Sequence, residues 1–222
     1  PFTFAFEQVG TNCGLIGQNA AVEVDGAAYW MSENGFFRFT GKLESMQCLV
    51  EDYVYDNLNT TSNQLIYCGI NNLFGEVMWF YPTSNSNIVD RNVCYSYLDS
   101  TVNRPIWYTN ASTIFKRTTW QDSAVFGKPH GTQYTAGNDV SFDVVGNTDG
   151  RTAYFEHETG TDQVEAGSVS AIAASVESGD YDITVTKEGG ATLQGDGEFL
   201  MKIRRFLPDF ISQTGNTQIT LN

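Results

Sequence analysis

The sequence predicts an all-β fold, and three observations lead to that prediction. Aromatic residues are abundant, with 15 Phe, 11 Tyr and 4 Trp in 222 residues, whereas charged residues make up only 17%. This composition favours strands over a helical bundle. Apolar and polar residues alternate with period two in several segments, which is typical of half-buried strands. Tight-turn signals such as Asp25-Gly26 separate these segments.

Five segments carry the alternation and are predicted to be strands. In chain order their apolar positions are Ala20, Val22 and Val24; Val77, Trp79 and Tyr81; Val93, Tyr95 and Tyr97; Val140, Phe142 and Val144; and Phe199, Met201 and Ile203. In the second segment, Met78 and Phe80 make the opposite face apolar as well. That strand is therefore predicted to be buried on both faces.

The connections between these strands have recognisable turn chemistry. Glu33-Asn34-Gly35 and Asp149-Gly150 predict tight turns, like Asp25-Gly26. Residues 82–87, with the sequence Pro-Thr-Ser-Asn-Ser-Asn, predict a longer hairpin loop between the second and third segments. The glycine-rich residues 188–197 predict a mobile connection.

One segment departs from the period of two. Val50, Tyr53, Val54, Asn57 and Leu58 recur at intervals of three and four residues. This spacing places them on one helical face and predicts a short amphipathic helix over residues 49–59.

The strands group into blade-like units over residues 20–41, 75–108, 140–158 and 168–222. A single hairpin cannot bury its apolar faces, whereas four-stranded sheets stacked around an axis can. We therefore predict part of a β-propeller, with a β-sandwich as the alternative because sandwiches also have strands every 8–12 residues. Both chain ends have strand-like sequence, so we expect a fragment of a longer polypeptide.

The net charge of −14, with a pI near 4.3, argues against a protein that grips nucleic acid through its phosphates. It fits either simple solubility or a surface that lies close to DNA without adhering to it. No run approaches the ~18 apolar residues of a membrane span. The chain has only two histidines, and its four cysteines lack C-x-x-C spacing, which argues against a zinc site. The disulfide state of Cys13, Cys48, Cys68 and Cys94 is left open.

The most enzyme-like segment is Glu156-His157-Glu158, with Asp162 close behind. A histidine between carboxylates can be a proton donor or half a metal site. In a strand, however, His157 faces away from both glutamates, so we favour exposed carboxylates beside a half-buried histidine.

Other candidate motifs are weaker. Asp90-Arg91 and Asp180-Tyr181-Asp182 resemble the acid pairs of glycosidases, but 26 acidic residues produce such pairs by chance. Asp139, Asp143 and Asp149 lack the spacing of a calcium loop. No nucleophile elbow or phosphate-binding loop occurs. We predict no catalytic, cofactor-binding or metal-binding residue, and no enzyme activity.

The tryptophans have two possible uses. Trp30, Trp79, Trp107 and Trp120 can plug the space between sheets, or they can stack on sugars. We favour the packing role. Asn59 and Asn110 fit the glycosylation pattern, which chance explains in a chain rich in Asn and Thr.

An ordered series of short aromatic-rich motifs runs along almost the whole chain. Examples are Phe36-Phe37-Arg38-Phe39, Trp79-Phe80-Tyr81-Pro82 and Arg204-Arg205-Phe206. The full series comprises residues 13–21, 24–26, 29–31, 36–41, 50–59, 74–82, 90–97, 117–122, 126–129, 154–160, 195–197 and 204–210. It resembles the C-terminal part of the tail nozzle, tail hub or tail tubular proteins of short-tailed double-stranded-DNA bacteriophages, which include packaged-DNA stabilisation proteins. The chain departs from that pattern at Gln121 and over residues 184–195.

The resemblance implies a structural virion protein of the tail that contains a β-propeller. It implies a ring of six copies below the portal and adaptor, in contact with tail fibres, which retains packaged DNA and conducts it during genome ejection. Two alternatives stay open: a carbohydrate-binding or glycoside-cleaving β-propeller and, less favoured, a receptor-binding tail spike.

Overall fold

The computed structural model describes residues 4–5, 7–101, 103–110, 117–135, 151–165, 168–172 and 218–219. The chain divides into two compact units, Pro1–Ile172 and Ala173–Asn222. All the helices and strands given below lie in the first unit. The predicted strands at 140–144 and 199–203, the turn at Asp149-Gly150 and the connection at 188–197 lie outside the described residues.

The first sheet is a four-stranded antiparallel meander. Its strands, in spatial and chain order, are β1 (Ala21–Val24), β2 (Ala27–Ser32), β3 (Gly35–Phe39) and β4 (Leu43–Met46). The turn between β1 and β2 contains Asp25 and Gly26 with φ of 52° and 75°, and Gly35 has φ of 115°. The two predicted tight turns are confirmed, because these positive φ values suit Gly and Asp better than other residues.

The second sheet is another four-stranded antiparallel meander. Its strands are β5 (Tyr67–Asn71), β6 (Glu76–Tyr81), β7 (Arg91–Ser96) and β8 (Trp107–Asn110), again in spatial order. The predicted loop at residues 82–87 does join β6 to β7.

A third sheet and a separate hairpin complete the described strands. The third sheet contains β9 (Thr119–Gln121), β10 (His130–Thr135) and β11 (Arg151–Glu156), with β10 in the centre. The hairpin consists of β12 (Asp162–Glu165) and β13 (Ser168–Ala171). The described residues are therefore mostly β-sheet, as predicted, and no sheet among them closes on itself.

The second sheet lies between the first and the third. On one face, Val77, Trp79 and Tyr81 join the large core shared with the first sheet. On the other face, Met78 and Phe80 join a smaller core that includes Trp120 of the third sheet. The prediction that this strand is buried on both faces is confirmed, and its apolar run follows from that burial.

The first strands of consecutive sheets lie side by side. Asn19, just before β1, forms a parallel bridge with Tyr67 of β5, and its carbonyl accepts a hydrogen bond of 2.8 Å from the Cys68 amide. Trp120 of β9 then donates its indole N–H to the carbonyl of Ile70 in β5, at 2.7 Å. The three sheets are therefore neighbours through their first strands, β1, β5 and β9.

The predicted helix is shorter than expected. The α-helix, α1, covers only Glu51–Tyr55, and a 3-10 helix follows at Thr60–Leu65. Val54 and Leu58 enter the core as predicted, but Tyr53 is exposed. The helix ends early because Leu58 forms an antiparallel bridge with Thr83, which holds that segment extended. Among the described residues, no helix is long and apolar enough to cross a membrane.

A substitution at Gly69 tests the close contact between the second and third sheets. A Cβ at this position would lie 2.7 Å from Cδ1 of Trp120, whose ring is held by its hydrogen bond to Ile70. We expect Gly69→Ala to lower the free energy of unfolding by about 1–3 kcal/mol through overpacking, as measured by urea denaturation. Gly14→Ala, where no atom lies within 4 Å of the new Cβ, is the matched control. Equal stability of the two variants would contradict the packing described.

Candidate functional site

The third sheet carries the most distinctive chemistry of the described residues because its two faces differ. Trp120, Gly131 and Phe155 lie side by side across β9, β10 and β11, on the face where Trp120 packs against the second sheet. Side chains alternate along a strand, so the two neighbouring rows point to the opposite face. One row contains Thr119, Thr132 and Tyr154, and the other contains Gln121, His130 and Glu156.

A buried polar cluster lies on the inner side. The Arg117 side chain is only 5% exposed. Its Nε donates to Nε2 of His157 at 2.9 Å, and its Nη1 donates to Oε1 of Gln133 at 2.7 Å. The guanidinium carbon also lies 3.9 Å from the centre of the Phe155 ring, a cation–π arrangement. The cluster therefore joins the segment before β9 to β10 and to the end of β11.

Burial sets the protonation of this cluster. It lowers the pKa of Arg117 to about 10. Burial, together with the smaller effects of the nearby Arg117 and His130 charges, lowers the pKa of His157 to about 3. Because Nε2 of a neutral His157 accepts the Arg117 hydrogen bond, its proton resides on Nδ1. A histidine held neutral against a guanidinium is a fixed acceptor, and it is poorly suited to deliver protons near neutral pH.

The acids beside His157 do not converge on it. Glu156 and Glu158 are exposed and His157 is half-buried, which is the arrangement that the sequence favoured. His157 lies just after the end of β11. Oε1 of Glu158 instead accepts a hydrogen bond of 3.2 Å from Asn71, in the second sheet. Asp162, the first residue of β12, is exposed.

Asn71 lies in an acidic environment. Burial raises the pKa of Glu76, and the nearby carboxylates of Glu158 and Asp99 raise it further. Tyr108 donates its hydroxyl to Glu76. Oδ1 of Asn71 is buried with no hydrogen-bond partner. Across the described ranges, no three His, Cys, Asp or Glu side chains are grouped so as to hold a metal ion.

All four tryptophans use the indole N–H to bind a main-chain carbonyl of another segment. The pairs are Trp30 with Cys13 at 2.6 Å, Trp79 with Ala20 at 3.1 Å, Trp107 with Gln47 at 2.8 Å, and Trp120 with Ile70 at 2.7 Å. Two of the rings are buried and two are half-buried. The last three pairs connect neighbouring sheets or their ends. These residues occupy packing positions, as the sequence favoured, and they do not form an open sugar platform.

The outer face of the third sheet contains a shallow cleft of about 250 Å³. Its lining residues are Thr119, Gln121, Phe126, His130, Gly131, Thr132 and Tyr154. The Tyr154 ring is stacked on the His130 ring, with centroids 5.3 Å apart, and its hydroxyl is hydrogen-bonded to His130 Nδ1. The Phe126 ring meets His130 edge-on, with centroids 4.9 Å apart. Sequence reasoning missed this cleft.

The remaining sequence candidates have structural roles or lie outside the described residues. Both carboxylate oxygens of Asp90 accept hydrogen bonds from Thr83, at 2.7 and 2.8 Å, so Asp90 braces the loop after β6. Asn59 is buried and donates to the Ser86 carbonyl, which makes it inaccessible to glycosylation. The candidates outside the described residues are Asp139, Asp143, Asp149, Asp180, Asp182, Arg204 and Arg205.

The four cysteines are free thiols. Burial raises the pKa of Cys48 to about 12 and raises those of Cys68 and Cys94 as well. A thiol with a raised pKa stays protonated at neutral pH and is a poor nucleophile or metal ligand. These three residues therefore act as small apolar side chains in the packing between sheets.

No protein-family model matches the chain, and no curated protein matches it. Function is therefore inferred from the composition, the geometry and the motif series described above.

His157 predicts a specific loss of stability in acid. Its pKa is about 3 in the fold and near 6.5 when unfolded, so the unfolded chain gains a proton first as the pH falls. The stabilisation is complete above pH 6.5 and is lost between pH 6.5 and 3. The loss is at most about 1.4 kcal/mol per pH unit, and less because the ring is partly exposed.

His157→Gln keeps an acceptor for Arg117 but does not titrate. Between pH 6.5 and 4, we expect the melting temperature of this variant to fall less steeply than that of the wild type. The melting temperature of the wild type should exceed that of the variant by the largest amount at pH 8. Parallel pH profiles would show that His157 is not held neutral by the cluster.

Proposed function

We propose that this chain is a structural virion protein, part of a ring in the tail nozzle or hub of a short-tailed bacteriophage. In this role it retains packaged DNA and lines the conduit for genome ejection. Three sets of facts support the proposal: the ordered motif series, the stacking of the three sheets and the acidic charge. The stacking of consecutive antiparallel meanders is the observation that carries it.

The stacking supports a β-propeller as the finer description of the fold. Propeller blades are four-stranded antiparallel sheets that pack face to face around an axis. The first two sheets have four strands in sequential order, and the starting edges of all three sheets are neighbours. A β-sandwich has two layers, whereas the second sheet here has packed layers on both of its faces.

The packing suits a wall that must withstand pressure from packaged DNA. Trp79 and Phe80, neighbours in β6, are fully buried on opposite faces of the second sheet. Trp79 is hydrogen-bonded to Ala20 in the first sheet, and the Phe80 ring lies 6.1 Å from that of Trp120 in the third. Relative motion of the sheets would break these contacts, so the stack is expected to be stiff.

The charge supports passage of DNA. A net charge of −14 repels the phosphate backbone, whereas a basic lining would hold DNA by releasing its counterions. DNA would therefore slide past the ring with no sequence-specific contact. The partners in this proposal are other copies of the chain, the portal and adaptor proteins, and the tail fibres.

The geometry favours a structural role over an enzymatic one. Strong pKa shifts occur at Tyr67 and Cys94, where the pKa is raised, and at His157, where it is lowered. In each case burial is the largest cause of the shift. Catalysis requires such groups to converge where a substrate can reach them. In the described part of the chain they line the interfaces between sheets.

Electron microscopy of the full chain, alone and mixed with portal and adaptor proteins, tests the proposal. We expect closed rings, with six copies as the expected number, and a sedimentation coefficient that exceeds that of a monomer. The chain without portal and adaptor proteins is the control, because it shows whether rings form only when those proteins are present. Monomers under every condition would contradict the proposal.

A further inference from the structure

The outer face of the third sheet differs from the sheet faces that are buried. The faces in contact within the stack carry residues such as Met78, Phe80 and Trp79. The outer face instead carries Thr, Gln, His, Glu and Tyr side chains, from the rows of Thr119 and Gln121. Covering this face with a flat apolar surface would leave its hydroxyl, amide and carboxylate groups without water or partners, which is costly.

Two aromatic rings are exposed within this polar face. Tyr154 is 67% exposed and Phe126 is 57% exposed, although both contact His130. The hydrogen bond between the Tyr154 hydroxyl and His130 Nδ1 fixes the orientation of the Tyr154 ring before any ligand arrives. A ring that is already ordered loses little conformational entropy on binding.

Hydrogen-bonding groups surround these rings. The hydroxyls of Thr119 and Thr132 lie 2.7 Å apart in the cleft, and Gln121 lines it beside them. Glu156 is exposed and lies in register with His130. Amide, hydroxyl and carboxylate groups together supply both donors and acceptors.

We propose that this cleft binds a neutral sugar unit of an oligosaccharide. A sugar ring has an apolar C–H face, which packs on an aromatic ring, and a rim of hydroxyls, which needs donors and acceptors like those around Tyr154. The volume of about 250 Å³ lies below the roughly 300–1,000 Å³ of sites that enclose drug-sized ligands. The cleft therefore takes one sugar unit at the surface, and the rest of the glycan remains in solvent.

Charge selects among glycans. The chain carries a net charge of −14, and Glu156 lies beside the cleft. Both disfavour a sialylated or uronic-acid ligand through like-charge repulsion. The inference requires that the outer face of the third sheet be open, and a propeller in which another blade covered that face would exclude it. It does not rest on the tail-nozzle proposal.

The test is titration calorimetry of the full chain with maltohexaose, cellohexaose and chitohexaose, and with sialyllactose and a hyaluronan hexasaccharide as anionic probes. We expect at least one neutral probe to bind with a Kd on the order of 1 mM, and neither anionic probe to bind as tightly. Tyr154→Ala should weaken this binding at least tenfold. Because the Tyr154 side chain is largely exposed, the melting temperature of Tyr154→Ala should match that of the wild type.

Tyr134→Ala is the matched control. Tyr134 is 38% exposed and lies on the same face of β10, but it does not line the cleft. Its removal should leave the affinity unchanged. The proposal is overturned if folded wild type binds none of the neutral probes at 10 mM, or if Tyr154→Ala binds as well as Tyr134→Ala. It is also overturned if Tyr154→Ala only changes the oligomeric state in sedimentation, which would make this face an interface between copies.

Discussion

Burial of the second sheet on both faces is the constraint on which the rest of the structure depends. Five consecutive residues of β6, from Val77 to Tyr81, are buried and contact two separate cores. Burial of each large apolar side chain contributes about 1.5–3 kcal/mol. Neither outer sheet can be removed without exposing one face of this strand. The aromatic richness of the chain and the interlocking indole–carbonyl hydrogen bonds both follow from this arrangement.

Much of the fold could be predicted because local patterns agree with the tertiary contacts. The alternation around Trp79 and Val93 predicted two central strands, and Asp25-Gly26 and Gly35 predicted turns. Five strands, β4, β5, β9, β10 and β12, lie outside the predicted strands and blade-like units and were missed. They are short or polar, and long-range pairing decides their conformation. Gly69 shows this well, because the space for Trp120, 51 residues away, explains a glycine inside β5.

The candidate sites were less predictable, for a related reason. Spacing around His157 correctly predicted a half-buried histidine between exposed acids, but Arg117, its hydrogen-bond partner, lies 40 residues earlier in the chain. The cleft combines Phe126 from a loop, His130 from β10 and Tyr154 from β11. The polar alternation of β10, with His130 and Thr132 on one face, was the one local signal of an open sheet face. It lacks the apolar residues by which strands are usually recognised.

Native-state hydrogen exchange resolved by residue tests the central role of the second sheet most directly. The account predicts that the amides of β6 exchange only through global unfolding, so that their exchange free energies equal the unfolding free energy from denaturant titration. Loss of either neighbouring sheet would expose an apolar face of β6, which makes such a partial opening costly. The β6 amides should therefore exchange only when all three sheets unfold together. Exchange of the β6 amides at a clearly lower free energy, while β2 and β10 remain protected, would contradict the account.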